Sequence, residues 1–246
     1  MIPVRVLAVR YLANAAPALC SALGAPKGFP SLGLITTDCD DATYIALDAA
    51  TKASEVEVAY GRSFYAGAGN ASTPNAGEVI GILAGQTPGA VRSGMEAALA
   101  ALQRVGFEDL SGVPCLSCTV SSVGSFLAKE ANVPQGTALA YLIAPPLESM
   151  YALDAALKAA DVRLAKLYAP PSETNFGGGL LSGTQSACDA ACAAFREAVA
   201  EVARSPRGDN TAGRQIEICR GSRGLEQHCH SEPVRTLAWE SPSNFE

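Results

Sequence analysis

Few side chains in this sequence can do acid–base or nucleophilic work, and they fall into three groups. Asp40-Asp41 is an acidic pair ahead of an amphipathic run, Cys115-Leu116-Ser117-Cys118 is a CxxC, and His228, Cys229 and His230 crowd a C-terminal segment. These are the only two histidines in 246 residues. With no imidazole elsewhere, the body has no base titrating near pH 7, which removes Ser-His and Cys-His hydrolases and most zinc enzymes. An enzyme would have to rest on Asp40, Asp41 or Lys52, and the sequence reads as non-catalytic. A lone CxxC supplies two thiolates where a closed zinc site needs four. Cys115 and Cys118 are therefore weak metal candidates, with buried structural thiols and a redox pair as the other readings, and no cofactor is expected. The His228–His230 trio could pick up metal adventitiously.

The acidic pair has two readings of its own. Carboxylates at a helix start cap orphan amides and meet the positive end of the helix dipole. Carboxylates together can also hold a small ammonium ion. The eight cysteines (20, 39, 115, 118, 188, 192, 219 and 229) sit in a chain long enough to build its own core, so they read as reduced thiols. Cys188 and Cys192, four apart in an Ala-rich run, share one helix face.

The elements that must position these groups repeat. Asp48-Ala49-Ala50-Thr51-Lys52-Ala53-Ser54-Glu55-Val56 matches Asp154-Ala155-Ala156-Leu157-Lys158-Ala159-Ala160-Asp161-Val162 at six of nine positions, 106 residues apart. Each copy reads as a helix running into a strand, over 56–60 and 162–168. A loop rich in small residues follows, over 64–77 and 169–179. Then come a short apolar strand ending in Gly (79–85 and 180–183) and a second helix (88–105, and 184–203 with Thr184 as N-cap). Another strand precedes each first helix, over 33–36 and 138–143. Such duplication implies two tandem α/β domains, placed at 1–110 and 111–204. Residues 205–246 lose all periodicity and read as a poorly ordered tail.

Composition bounds the partners. Apolar residues make up 48% of the chain and charged ones 17%, which suits a packed core and not a disordered chain. A net charge of −6 argues against nucleic acid and against an anionic membrane surface. No apolar run of about 18 residues occurs, so no membrane-spanning helix is expected. Residues 4–9 read as a strand and not as the core of a signal peptide.

Several segments carry a family likeness: Ser31–Ile35, Asp40–Tyr44, Tyr60–Ala68, Ala140–Glu148 and Pro170–Asn175. With the Asp-Ala-Ala-x-Lys-Ala repeat, they resemble the tandem-domain shell proteins of bacterial microcompartments, of the ethanolamine-utilisation type, over residues 4–206. The resemblance implies an α/β (α+β) fold of two circularly permuted, ferredoxin-like shell domains, each an antiparallel sheet with helices on one face. It further implies a pseudohexameric homotrimer that tiles edge to edge with itself and with other shell proteins, in a compartment lying in the cytoplasm. A central pore gated by loops and smaller pores binding ethanolamine follow from the same likeness. The implied ligand contacts are Asp40, Asp41, Glu78, Phe107, Thr174, Asn175 and Phe176. Phe176 stands where the family pattern suggests Tyr. A related compartment, of choline or propanediol type with a Cys-based metal or redox site, is the alternative.

Overall fold

The computed structural model describes residues 1–64, 77–170 and 175–207. The described chain runs β1 (Val6–Leu12), α1 (Pro17–Ala22), β2 (Ser31–Thr37), α2 (Asp40–Ala53), β3 (Val56–Ser63), β4 (Val79–Gly85) and α3 (Pro88–Leu102), then β5 (Glu108–Leu110). It continues through β6 (Val113–Val120), α4 (Ser125–Ala131), β7 (Ala138–Ala144), α5 (Pro146–Ala159), β8 (Val162–Tyr168), β9 (Gly177–Gly183) and α6 (Gln185–Arg204). Two antiparallel sheets result, ordered β1-β2-β4-β3 and β5-β6-β7-β9-β8. Without β5 the two orders are the same walk through equivalent strands, so the repeat in sequence is a repeat in topology. The first sheet's last helix ends at Leu102 and the second sheet begins at Glu108.

Local chemistry sets the ends of the helices. Thr87 and Thr184 cap α3 and α6, their hydroxyls accepting from the amides of Ala90 (3.1 Å) and Ala187 (3.2 Å). Asp40 and Asp41 open α2 and Lys52 closes it, each on the side the helix dipole favours. Gly33 lets α3 sit on β2, since a Cβ there would meet Val91 Cγ1 at 2.7 Å.

Helices lie on both faces of each sheet, not on one. Strand alternation sends Ile35 of β2 into the core with Leu47 of α2 and Met95 of α3, while Leu32 and Leu34 face the small cluster around α1. In the C-terminal half, Leu142 packs with Leu153 of α5 and Phe195 of α6, whereas Leu139 and Tyr141 face α4. That second face does not stop at its own half. Leu116, Leu127, Leu139 and Tyr141 join Ile35, Leu47 and Met95 in one continuous core, so the halves are fused through buried apolar surface.

The fusion is fastened by polar contacts at helix α4. Asp48, on α2, is fully buried and accepts from the amides of Gly124 (2.8 Å) and Leu127 (2.9 Å) at the start of α4. Thr51 Oγ1 accepts from the amide of Ser125 (3.2 Å). Lys52 Nζ lies 3.3 Å from Asp48 and donates to the Ser122 carbonyl (2.8 Å), so this lysine is spent on the joint between halves. A helix start that would otherwise carry orphan amides is thus capped from the other half of the chain.

Candidate functional site

The acidic pair stands where β2 turns into α2, against the C-terminal half. Asp40 Oδ1 accepts from the amide of Asp41 (2.9 Å), and both side chains are buried. Asp41 Oδ1 accepts from the hydroxyl of Tyr141 (2.9 Å), which β7 carries into the core. Burial first, and then repulsion from Asp40, hold the Asp41 carboxyl well above the usual carboxylate range, with the Tyr141 hydrogen bond opposing. Glu78 joins the cluster through the end of the first sheet. Its amide donates to the Thr37 carbonyl (2.9 Å) and its own carbonyl accepts from Phe64 (2.9 Å). Burial and the charges of Asp40 and Asp38 raise its carboxyl as well. Asp38 itself is paired with Arg5 (2.7 Å).

The two aromatic candidates meet each other. The rings of Phe107 and Phe176 lie 5.4 Å apart and tilted by 42°, half-buried against the shared core. Phe107 is fixed by its carbonyl, which accepts from the amide of Ile2 (2.6 Å). Asn175, just before Phe176, takes a left-handed backbone (φ 65°), which Asn tolerates better than most residues. Thr174 lies outside the described residues, as do His228, Cys229 and His230. The structure thus brings together Asp40, Asp41 and Glu78 as one electrostatic group, and Phe107 with Phe176 as another.

A cavity of about 310 Å3 opens between the halves beside the acidic pair. Asp40 and Asp41 form one wall, and Tyr44, Phe126, Tyr141 and Tyr168 supply aromatic surface. Glu78, Phe107, Asn175 and Phe176 are outside these walls. Tyr141 stacks on Tyr168 at 6.2 Å, and the Tyr168 hydroxyl reaches Glu130 (3.5 Å), which is also paired with Lys166. Polar groups from α2, β7, β8 and α4 therefore line one continuous path from the buried Asp41 to the half-exposed Glu130–Lys166 pair. Sequence reasoning missed Tyr141. Its signal is visible in Ala138-Leu139-Ala140-Tyr141-Leu142-Ile143: one tyrosine in an otherwise aliphatic buried strand needs an acceptor for its hydroxyl.

The CxxC does not form a chelating pair. It lies on β6, an extended strand, where residues three apart point to opposite faces. Cys115 is buried with the α5–α6 core, on the side where Thr119 contacts Cys192 Sγ (3.5 Å), whereas Cys118 packs against the core shared with the first half. Two thiols divided by a sheet cannot ligate one ion. Burial pushes Cys115 up to about 12 and Cys118 up to about 11, so both are held as neutral thiols. Among the described residues no group of three or more His, Cys, Asp or Glu side chains is placed to hold a metal. Among them, too, no helix is long and apolar enough to cross a membrane.

Comparison with known proteins places this geometry in a family. Residues 31–111 match the BMC domain. The bacterial microcompartment shell protein EutL of Clostridium perfringens is 59% identical over 208 residues, covering 82% of this chain and 95% of that protein. EutL of Escherichia coli is 47% identical over 205 residues, with 82% and 94% covered. The crystal structure of ethanolamine utilization protein EutL from Leptotrichia buccalis superposes with a TM-score of 0.81 at 55% identity, covering 83% of this chain and 96% of that one.

Proposed function

The chain belongs to the EutL family of bacterial microcompartment shell proteins, and from that premise we propose that three copies close into a flat, pseudo-sixfold tile carrying small-molecule pores. The protein is a structural shell component and not an enzyme. In this reading the tile packs edge to edge with its own kind and with other shell proteins, around a compartment in the cytoplasm. The central passage is gated by the paired loops over 64–77 and 169–179, most of the first of which lies outside the described residues. Smaller pores admit ethanolamine, a cation with a hydroxyl, held by Asp40, Asp41, Glu78, Phe107, Thr174, Asn175 and Phe176.

One observation carries the ligand assignment. Asp41 and Glu78 are raised by burial and by repulsion from neighbouring carboxylates, so an ammonium ion entering the cluster relieves a cost the protein already bears. Facing aromatic rings at Phe107 and Phe176 add a surface suited to a cation. Calorimetric titration with ethanolamine tests it. Asp41→Asn keeps the acceptor for Tyr141 and removes the charge, and is expected to weaken binding by about 1–3 kcal/mol, the worth of a charged hydrogen bond. Binding should also weaken on acidification, starting above the usual carboxylate range because the carboxyls are raised. Equal affinity in both proteins would refute the role of Asp41.

A further inference from the structure

The cavity beside the acidic pair holds a second group of charges that the ligand set above does not use. Of the described residues in that set, only Asp40 and Asp41 line the cavity. Another part of its wall is built from Glu130 of α4 and from Lys166 and Tyr168 of β8.

These three residues surround an ammonium ion that the chain itself supplies. Lys166 Nζ pairs with Glu130 Oε1 and sits over the face of the Tyr168 ring, 5.5 Å from its centre. The Tyr168 hydroxyl donates to the same carboxylate oxygen (3.5 Å) and so helps hold it in place. A carboxylate within hydrogen-bond reach and an aromatic face within about 6 Å are what a site for a primary ammonium head requires. The Tyr168 ring also stacks on Tyr141, whose hydroxyl donates to Asp41 (2.9 Å), so the two rings bridge the acidic pair and Glu130.

The backbone aims Lys166 into this position. Strand β8 bulges at Ala165, with Leu164 opposite Leu181 and Lys166 opposite Leu180 of β9. The extra residue turns Lys166 off the outer face, where Leu164 is 41% exposed, and toward the cavity. Strand β3 bulges in the same way at Ala59, so the aim belongs to the fold. The residue types do not. At the 106-residue offset Lys166 and Tyr168 correspond to Tyr60 and Arg62, and α1, which stands in the place of α4, has no acidic residue. Carboxylate, ring and ammonium are therefore assembled in the second copy and not in the first. The pair is also free to open. Lys166 and Glu130 are 36% and 37% exposed, so water screens their attraction, and the flexible lysine stem can carry its head into solvent.

We propose that Glu130 and Tyr168 form a second station for a primary alkylammonium ion within the cavity, and that Lys166 is its resident occupant, which an entering ion must displace. The proposal rests on the reading of Asp40 and Asp41 as the first ammonium station. A head tethered by a short flexible stem presents itself at an effective concentration in the millimolar range, so the station opens only when free ions compete at that level. An ion that passes the acidic pair then advances by exchanging one ammonium for another, a step closed to neutral and anionic solutes.

Calorimetric titration of the full chain with ethanolammonium chloride, at constant ionic strength, tests this. Asp41→Asn provides a background in which the first station is weakened. On it, Lys166→Met keeps a stem of similar length and removes the charge, and should tighten binding by about tenfold as the tethered competitor is lost. Adding Tyr168→Leu changes no charge and should abolish the gain, whereas an effect of net charge alone would survive it. Adding Glu130→Gln in its place should also abolish the gain, and it leaves the ring stacking intact, so it decides the matter if Tyr168→Leu fails to fold. No gain from Lys166→Met, or a gain that survives either addition in a folded protein, overturns the second station and leaves the acidic pair standing. A wild type that binds no ethanolammonium, beside an Asp41→Asn, Lys166→Met protein that does, refutes the acidic-pair reading and upholds the second station.

Discussion

Asp48 offers the sharpest test of how the two halves are joined. Its carboxylate is fully buried and accepts from two amides, at 2.8 and 2.9 Å, while Lys52 lies 3.3 Å away. In Asp48→Ala the amides of Gly124 and Leu127 lose their acceptor in a site that excludes water. Each orphaned donor costs about 1–3 kcal/mol, so allowing for some relaxation the loss is about 2–4 kcal/mol. For a chain of this size that is a fall in melting temperature of about 4–16 °C. Asp48→Asn keeps one acceptor but turns its amide toward a donor, and should lose about half as much. Asp154 is the internal control, since it occupies the same place in the repeat but is 50% exposed and pairs with Lys158 on its own helix (2.6 Å). Asp154→Ala should cost no more than about 0.5 kcal/mol. Thermal melts at fixed protein concentration give the stabilities. Hydrogen exchange should locate the damage, with faster exchange at Gly124 and Leu127. An Asp48→Ala protein that melts with the wild type and keeps those two amides protected would refute the reasoning.

The remaining expectations concern titration. Asp41 has its folded pKa raised above the unfolded value of 3.8, so its contribution to stability is full below that value and is lost as pH rises toward the folded pKa. Asp41→Asn should therefore melt higher than wild type at neutral pH and lose the advantage below about pH 4, as pH-dependent melts will show. Cys115 and Cys118, at about 12 and about 11, should alkylate at pH 8 at least about a hundredfold more slowly in the folded protein than after denaturation. Fast native labelling at either thiol would contradict their placement on the two faces of β6.

Much of the fold was legible because its signals are local. The helices that open at Asp40 and Pro88, and the one capped by Thr184, follow from spacing and caps, and the repeat told that they come in pairs. Helix α4 was not legible. Ser125–Ala131 is seven residues long, its cap is Asp48 from another part of the chain, and no window along the sequence contains both. The CxxC left three readings open for a related reason. Spacing alone suggests a chelate, but on a strand a separation of three puts the thiols on opposite faces, and only the strand assignment of β6 settles that. Of the site, Asp40 and Asp41 were visible from their place at a helix start. The partners that act on Asp41, Tyr141 and the fused core, come from about 100 residues away.

The same nine-residue motif ends up in two different environments, and duplication explains how both can be stable. Inside the chain the halves are tethered, so their effective concentration is high and the joint need supply little net free energy of association. It can therefore include buried carboxylates at Asp41 and Asp48, which carry a desolvation cost and return orientation and charge to the site beside them. The second copy keeps the motif and loses that environment. Asp154 is 50% exposed and pairs with Lys158 on its own helix, and Leu147 and Leu157 stand at the positions of Asp41 and Thr51. A carboxylate left in water needs no amides to satisfy it, whereas Asp48 inside the joint meets two, from Gly124 and Leu127, together with Lys52. An unduplicated repeat would carry one set of residues at both places. Two copies let Asp41 and Asp48 be buried at the joint while Leu147 and Asp154 stay exposed.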